Sequence, residues 1–317
     1  MAELYEKHSA GARSGPARVI RADRNRVLLA APSGHLPVPY PAEGFPCATG
    51  DWVSLGANER GERVILSVLP RFSQLARKQA FDKSTEAQIL AANIDLVGVV
   101  VPIDRPLSHN RLERTLVAAW DSGAAPLVIL TKADLANGND DVVGGVVERA
   151  AGAEVITTSA EQGDGLEELM LRLRPGTTMV LLGPSGAGKS TLINALAGQH
   201  LQATGAVLMD TPGIRGLALW DADAGIDAVF GDIEELFAGC RFNDCGHEYE
   251  PGCAVQEAMA EGSLEPRRWQ SYLKMQREMA HLHRRQNVAE SRKDARSFAR
   301  SVRAAAEIRG TRHKKRS

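Results

Sequence analysis

A glycine-rich octet, Gly183-Pro184-Ser185-Gly186-Ala187-Gly188-Lys189-Ser190, followed by Thr191, carries the densest chemical signal in the chain. Glycines let the main chain bend until its N–H groups converge on an anion. A helix beginning near Lys189 would aim its positive end at the same point. Lys189 suits the β- and γ-phosphates of a nucleotide, and the Ser190 hydroxyl suits Mg²⁺. Twenty residues beyond Ser190, Asp210-Thr211-Pro212-Gly213 closes an apolar run. There Asp210 suits Mg²⁺ through water and the Gly213 N–H suits a γ-phosphate.

Upstream, Thr131-Lys132-Ala133-Asp134 follows the run PLVIL, and Thr158-Ser159-Ala160 follows EVIT. A carboxylate accepts both the ring N–H and the exocyclic amine of guanine, a pair that adenine does not offer. Asp134 therefore suits base selection, the Lys132 stem suits the base face, and the backbone of Ser159 and Ala160 suits the guanine carbonyl. Taken alone, Thr131 to Asp134 is also an ordinary helix cap. Together, all four stretches follow an apolar strand-like run, on the edge where open α/β sheets bind ligands.

Cys240, Cys245, His247 and Cys253 form C-x4-C-x-H-x5-C, while Cys47 stands apart. Three thiolates and an imidazole suit a closed tetrahedral zinc site with a structural role. A reduced cysteine cluster without metal is the other reading, and in a reducing compartment metal is favoured over disulfide.

Apolar runs LVGVVVP, PLVIL, EVIT, MVLL and AVLM alternate with the helical stretches NRLERTLVAAW and LEELMLRL. Such alternation predicts a mainly parallel sheet covered on both faces. Ahead of it, ARVIRA, RVLLAA, DWVSLG and RVILSVL are short strands between polar turns, as in a small oligonucleotide-binding (OB) barrel; an SH3-like barrel would read the same way. Tyr40, Phe45 and Trp52 suit either base stacking or a core. RFSQLARK into FDKSTEAQ reads as a linker. EPRRWQSYLKMQREMAHLHRRQ reads as a helix packed on the cysteine cluster. The chain is thus expected to be multidomain: an OB-type β-barrel over 1–75, an α/β nucleotide domain over 76–222, and a mainly helical zinc-binding domain with a basic tail over 223–317.

With 44% hydrophobic and 24% charged residues, and no apolar run of the roughly 18 residues a membrane helix needs, the chain is expected to be cytoplasmic, without a membrane partner, and monomeric. The net charge of −1 hides an asymmetry: residues 284–317 hold 12 Lys or Arg against 3 Asp or Glu. That end suits a solvated tail or an arm on a phosphate backbone.

With base motifs first, phosphate loop second and Asp-Thr-Pro-Gly last, the order resembles the GTPase superfamily in circularly permuted form. ATGDWV, LPRFSQLARK, AANIDLV, NRLERTLVAAWDSGA, KADL, GPSGAGKSTLINAL, DTPGIR, CRFNDCGHEYEPGCAV and RRWQSYLKMQRE together resemble the ribosome small-subunit-dependent GTPase A (RsgA, or YjeQ) family over nearly the whole chain. The resemblance implies a GTP hydrolase, cycling between GTP and GDP with Mg²⁺, that binds the small ribosomal subunit and its rRNA late in maturation. Barrel, zinc module and basic tail would supply the RNA contacts.

Two departures stand out. Thr131 takes the place usually held by Asn, which weakens a side-chain contact. The interval from Ser190 to Asp210 leaves no room for the edge strand and threonine-bearing switch I that the family carries there. With Ile214 after Gly213, where other GTPases often have a water-orienting Gln, no catalytic residue can be named. The alternative expectation is a GTP-gated RNA-binding module with little hydrolysis.

Overall fold

The computed structural model describes residues 14–41, 46–78, 87–136, 140–198, 206–210 and 222–285. Five antiparallel strands come first: β1 (Ser14–Ala22), β2 (Arg26–Ala31), β3 (Gly34–Pro39), β4 (Trp52–Ala57) and β5 (Arg63–Val68), in the order β3-β2-β1-β4-β5. Alternate residues Ala17, Val19, Val27, Leu29, Val53 and Leu55 point inward and form a separate small core. The two sheet edges, β3 and β5, approach each other. Strand β3 has no counterpart among the apolar runs because Pro37 and Pro39 interrupt it. As an edge strand it has a ladder on one side only, where proline is tolerated. Tyr40 packs against this core and its hydroxyl accepts the Cys47 N–H at 3.0 Å, whereas Trp52 lies under the Arg18 guanidinium at 5.3 Å. Phe45 lies outside the described residues.

The described ends of the stretch read as a linker are paired strands instead, β6 (Gln74–Lys78) antiparallel to β7 (Ala87–Ala92), and residues 79–86 lie outside the described residues. The pair's charged residues conceal buried Leu75 and Ala91, which join it to the core of the larger domain. At the junction Asn93 is 1% exposed with a left-handed φ of 53°; its side-chain amide donates to Gly50 O at 3.1 Å and its carbonyl accepts from Arg18 at 3.1 Å.

The second sheet is parallel throughout: β8 (Leu96–Pro102), β9 (Ala125–Thr131), β10 (Glu154–Thr157), β11 (Thr178–Leu182) and β12 (Val207–Asp210), ordered β10-β9-β8-β11-β12. The three central strands, β8, β9 and β11, are apolar on both faces because helices cover both. Val100, Ile129, Met179 and Leu181 face α3 (Leu166–Arg172) and α4 (Lys189–Gly198). Val97, Val99, Val101 and Val180 face the opposite layer, which begins with α1 (His109–Asp121) and α2 (Asp140–Glu148). Helix α2 escapes a sequence reading because paired glycines break its period. Of the interval between the end of α4 and the start of β12, residues 199–205 lie outside the described residues.

Helices α5 (Asp223–Phe237), α6 (Ala254–Glu261) and α7 (residues 266–285) extend that second layer. Trp269, Tyr272, Met275, Met279 and Leu282 recur at helical spacing on α7 and are buried in one core with Leu116, Val180 and Phe230. The C-terminal helices thus share the core of the nucleotide domain. Helix α5 crosses α1 so closely that a Cβ at Gly225 would sit 2.2 Å from Val117 O.

Candidate functional site

The chain winds from β8 out to β10 and then returns through β11 and β12 on the other side of β8. Direction reverses between β8 and β11, the crevice where open parallel sheets take ligands beyond the strand ends. All the sequence-predicted nucleotide residues that are described lie at that edge. Gly183 to Gly188 follow β11, Thr131 ends β9 and Lys132 to Asp134 follow it, Thr158 to Ala160 follow β10, and Asp210 ends β12 level with Leu181.

The phosphate loop is shaped by its glycines, with φ of 73° at Gly186 and 87° at Gly188, values that ordinary side chains resist. Ala187 between them is fully buried, while Ser185, Gly186, Ser190 and Thr191 are exposed. Lys189 bends back over the loop: its Nζ donates to Gly183 O and Pro184 O, each at 3.0 Å. The ammonium is thereby held over the turn whose backbone would cradle phosphate.

The base loop is fastened on both sides. Thr131 Oγ1 donates to Ala187 O at 2.7 Å, linking it to the phosphate loop. The side chain that stands in the usual place of Asn thus reaches the neighbouring loop. Ser159 Oγ donates to Asp134 Oδ1 at 2.6 Å, and Ala133 N donates to Thr158 O at 3.2 Å. Asp134 is half-buried, with one oxygen oriented by Ser159. Thr211, Pro212, Gly213 and Ile214 lie outside the described residues, as does the basic tail beyond residue 285.

Two residues at this edge escape the motif reading. Asp104 and Arg105 follow β8, the one strand of the sheet whose end carries no recognised motif. Asp104 Oδ2 accepts from Lys132 Nζ at 2.6 Å, and Arg105 Nη2 donates to Gly186 O at 3.0 Å. Both cations hold the Asp104 carboxyl below the usual carboxylate range, Lys132 most strongly. The available signal was positional: polar residues directly after a buried strand whose neighbours all end in ligand loops.

A second constellation lies past α5. Cys240, Cys245, His247 and Cys253 bring their ligand atoms within 4.8 Å of one another. His247 Nδ1 is 3.5 Å from both Cys240 Sγ and Cys253 Sγ. With Zn–S of about 2.3 Å and Zn–N of about 2.0 Å, the sulfur–nitrogen edge of a tetrahedron is about 3.5 Å, so the donor set fits zinc. The His247 ring stacks on Phe237 at 4.3 Å and meets the edge of Trp269 at 5.8 Å, which fixes which nitrogen faces the thiols. As expected, the helix bearing Trp269 packs on this cluster. Among the described residues no helix is long and apolar enough to cross a membrane.

Comparison with known proteins agrees with this geometry. A model of the RsgA GTPase family matches residues 68–210, and one of the ABC transporter family matches residues 166–308, a span that includes the phosphate loop. Small ribosomal subunit biogenesis GTPase RsgA 1 of Oceanobacillus iheyensis is 38% identical, the match covering 86% of this chain and 87% of the relative. The RsgA of Streptomyces avermitilis is 42% identical over 87% of this chain and 82% of its own. Among solved structures, YjeQ from Thermotoga maritima matches with a TM-score of 0.60 and 26% identity over 84% of this chain and 98% of that one. YloQ, a circularly permuted GTPase, shares the fold with a TM-score of 0.59 at 23% identity, covering 86% and 97%. The ABC transporter match omits β8 to β10 and with them the base loop, whereas the RsgA matches take in both halves of the crevice. The chain belongs to the RsgA GTPase family.

Proposed function

We propose that this chain binds and hydrolyses GTP in the biogenesis of the small ribosomal subunit, the role named for its relatives at 38% and 42% identity. The observation that carries the nucleotide part is the physical joining of a guanine-reading loop to a phosphate loop, through Thr131 and Ala187, at the reversal point of a parallel sheet. Asp134 reads the base, Lys132 covers its face, and the backbone around Ser159 and Ala160 meets the guanine carbonyl. Gly183 to Thr191 hold the phosphates. Ser190, at the start of α4, and Asp210, on the strand beside β11, are the residues that would hold Mg²⁺, which when bound neutralises charge on the β- and γ-phosphate oxygens. Gly213 would sense the γ-phosphate. Family membership favours turnover over a binding-only module.

The N-terminal sheet supports an OB-type barrel: its order, β3-β2-β1-β4-β5, closes into a ring if β3 meets β5, and those edges approach each other. Arg21, Arg24 and Arg26 around the β1–β2 turn suit RNA phosphates, as does the basic tail. The barrel then ends before β6, and helices α5 to α7 extend the nucleotide domain whose core they share, held by one structural zinc ion, in a cytoplasmic monomer. The test is GTP turnover by the purified chain with and without small ribosomal subunits. Stimulation by subunits is expected; turnover indifferent to them, or equal use of ATP, counts against the reading.

A further inference from the structure

Lys132 is the only residue of the base loop in a left-handed backbone conformation, with φ 64° and ψ 41°. For a residue with a Cβ that conformation costs of order 1–3 kcal/mol and persists where surrounding contacts hold it. Backbone contacts hold part of it: Leu135 N donates to Lys132 O at 2.9 Å, and the next residue's N–H is taken by Thr158 O. The side chain is held as well. Its ammonium meets Asp104 at 2.6 Å, and its Cε lies 4.0 Å from where a Cβ on Gly188 would be. The stem is thus stretched beside the phosphate loop, anchored at its far end.

The anchor is itself tied to that loop. Asp104 Oδ1 accepts from Arg105 Nε at 3.0 Å, and Arg105 Nη2 donates to Gly186 O at 3.0 Å. A chain of charge-assisted bonds therefore runs from Lys132 through Asp104 and Arg105 to Gly186. Asp104 and Lys132 keep only 22% and 27% of their side-chain surface in solvent, so the pair is partly shielded from screening.

A free lysine carries about 2 kcal/mol of rotamer entropy, part of which is lost when its stem is pinned by a ligand. An anchored stem has lost it before the ligand arrives, which is how preorganisation raises affinity. We propose that Asp104 is a positioning residue for the nucleotide: it holds Lys132 as a ready platform for the purine face and, through Arg105, sets the spacing between that platform and the phosphate loop. This rests on the guanine-nucleotide reading of the site.

Dissociation constants for GTP, GDP and ITP, from titration with fluorescent nucleotide, test the proposal on the full-length chain. Asp104→Asn keeps the shape of the side chain and removes its charge. It is expected to weaken GTP and GDP by the same factor, about tenfold. ITP falls by that factor too, because a platform for the ring face is indifferent to the exocyclic amine. In turnover the loss falls on KM, and Asp104→Glu recovers part of it. Combined with Lys132→Ala, Asp104→Asn adds little further loss, since the two changes remove one interaction. Unchanged affinity in Asp104→Asn, additive losses in the double variant, or a nucleotide-free melting drop that accounts for the whole effect would overturn the proposal. Equal binding of ATP and GTP by the unaltered chain would instead overturn the guanine reading beneath it.

Discussion

Thr131 and Ala187 are 56 residues apart in the chain, and a 2.7 Å hydrogen bond from the Thr131 hydroxyl to the Ala187 carbonyl joins the base loop to the phosphate loop. Both residues are buried, so a replacement that removes the donor leaves a carbonyl with no water to turn to. Thr131→Val keeps the volume and deletes the donor. It is expected to weaken GTP and GDP alike by about fivefold to thirtyfold, the equivalent of roughly 1–2 kcal/mol. Thr131→Asn, which restores an amide donor, is expected to stay within about threefold of the unaltered chain. Titration with fluorescent GDP measures both, and a Val variant with unaltered affinity would remove the bond from the binding account.

Glu113 is completely buried on α1 and faces two arginines of α7. Arg267 reaches its carboxylate at 3.0 Å and 3.1 Å, and Arg268 at 3.3 Å. Arg268 also lies 4.9 Å over the Phe230 ring and pairs with Asp232 on α5. Removing one partner of a buried ionic cluster typically costs about 3–5 kcal/mol, because the remaining charges stay desolvated. Glu113→Ala is expected near the lower end of that range, since Arg268 keeps Asp232 and Arg267 keeps Glu265 at 3.5 Å. Urea denaturation measures it. Destabilisation below about 1 kcal/mol would mean that the arginines find other partners or water.

The contrast between these two sites shows what a sequence exposes. Thr131 sits inside a motif, and the phosphate loop, base loop and cysteine spacing were legible because their chemistry needs particular residues at fixed short intervals. The parallel sheet was legible because a strand covered on both faces is apolar throughout, as in LVGVVVP at β8. Glu113 and Asp104 were not. Glu113 looks like one more charge on an amphipathic helix until α7 arrives from about 150 residues away, and Asp104 acquires meaning only beside Lys132. Strands β3 and β6 were hidden for a local reason: proline in one and charge in the other mask the alternation.

The cysteine cluster is expected to carry one zinc ion per chain, measurable by elemental analysis of protein purified without added metal. His247 holds a φ of 58° and lies between Phe237 and Trp269, so its ligand geometry is coupled to the packing of α5 and α7. Loss of a structural zinc removes folding free energy directly. Chelation, or Cys245→Ser, is expected to lower the melting temperature by at least about 5 °C. Binding of GDP should persist, because the four ligands lie beyond the start of α5, on none of the loops that carry the nucleotide motifs. A zinc content near zero in fully folded protein would return the cluster to three reduced cysteines beside a histidine.

His109 begins α1, where burial and the nearby Arg149 and Arg267 guanidiniums hold its imidazolium pKa below the ordinary value, against a smaller opposing pull from Glu265 and Glu113. The sign of the resulting pH dependence follows from linkage. In the unfolded chain His109 takes up a proton as pH falls through about 6.5, whereas in the folded chain it stays neutral until a lower pH. The unfolded state therefore binds more protons in that window, and stability contributed by the neutral ring is present above about pH 6.5 and lost as the solution becomes more acidic. His109→Gln cannot titrate, so melting curves between pH 7.5 and 5.5 should fall less steeply for the variant. The difference is expected to be small, because the ring is only partly buried. An identical slope in both proteins would assign the acid sensitivity to other groups and leave the crowding of His109 by Arg149 and Arg267 without thermodynamic consequence.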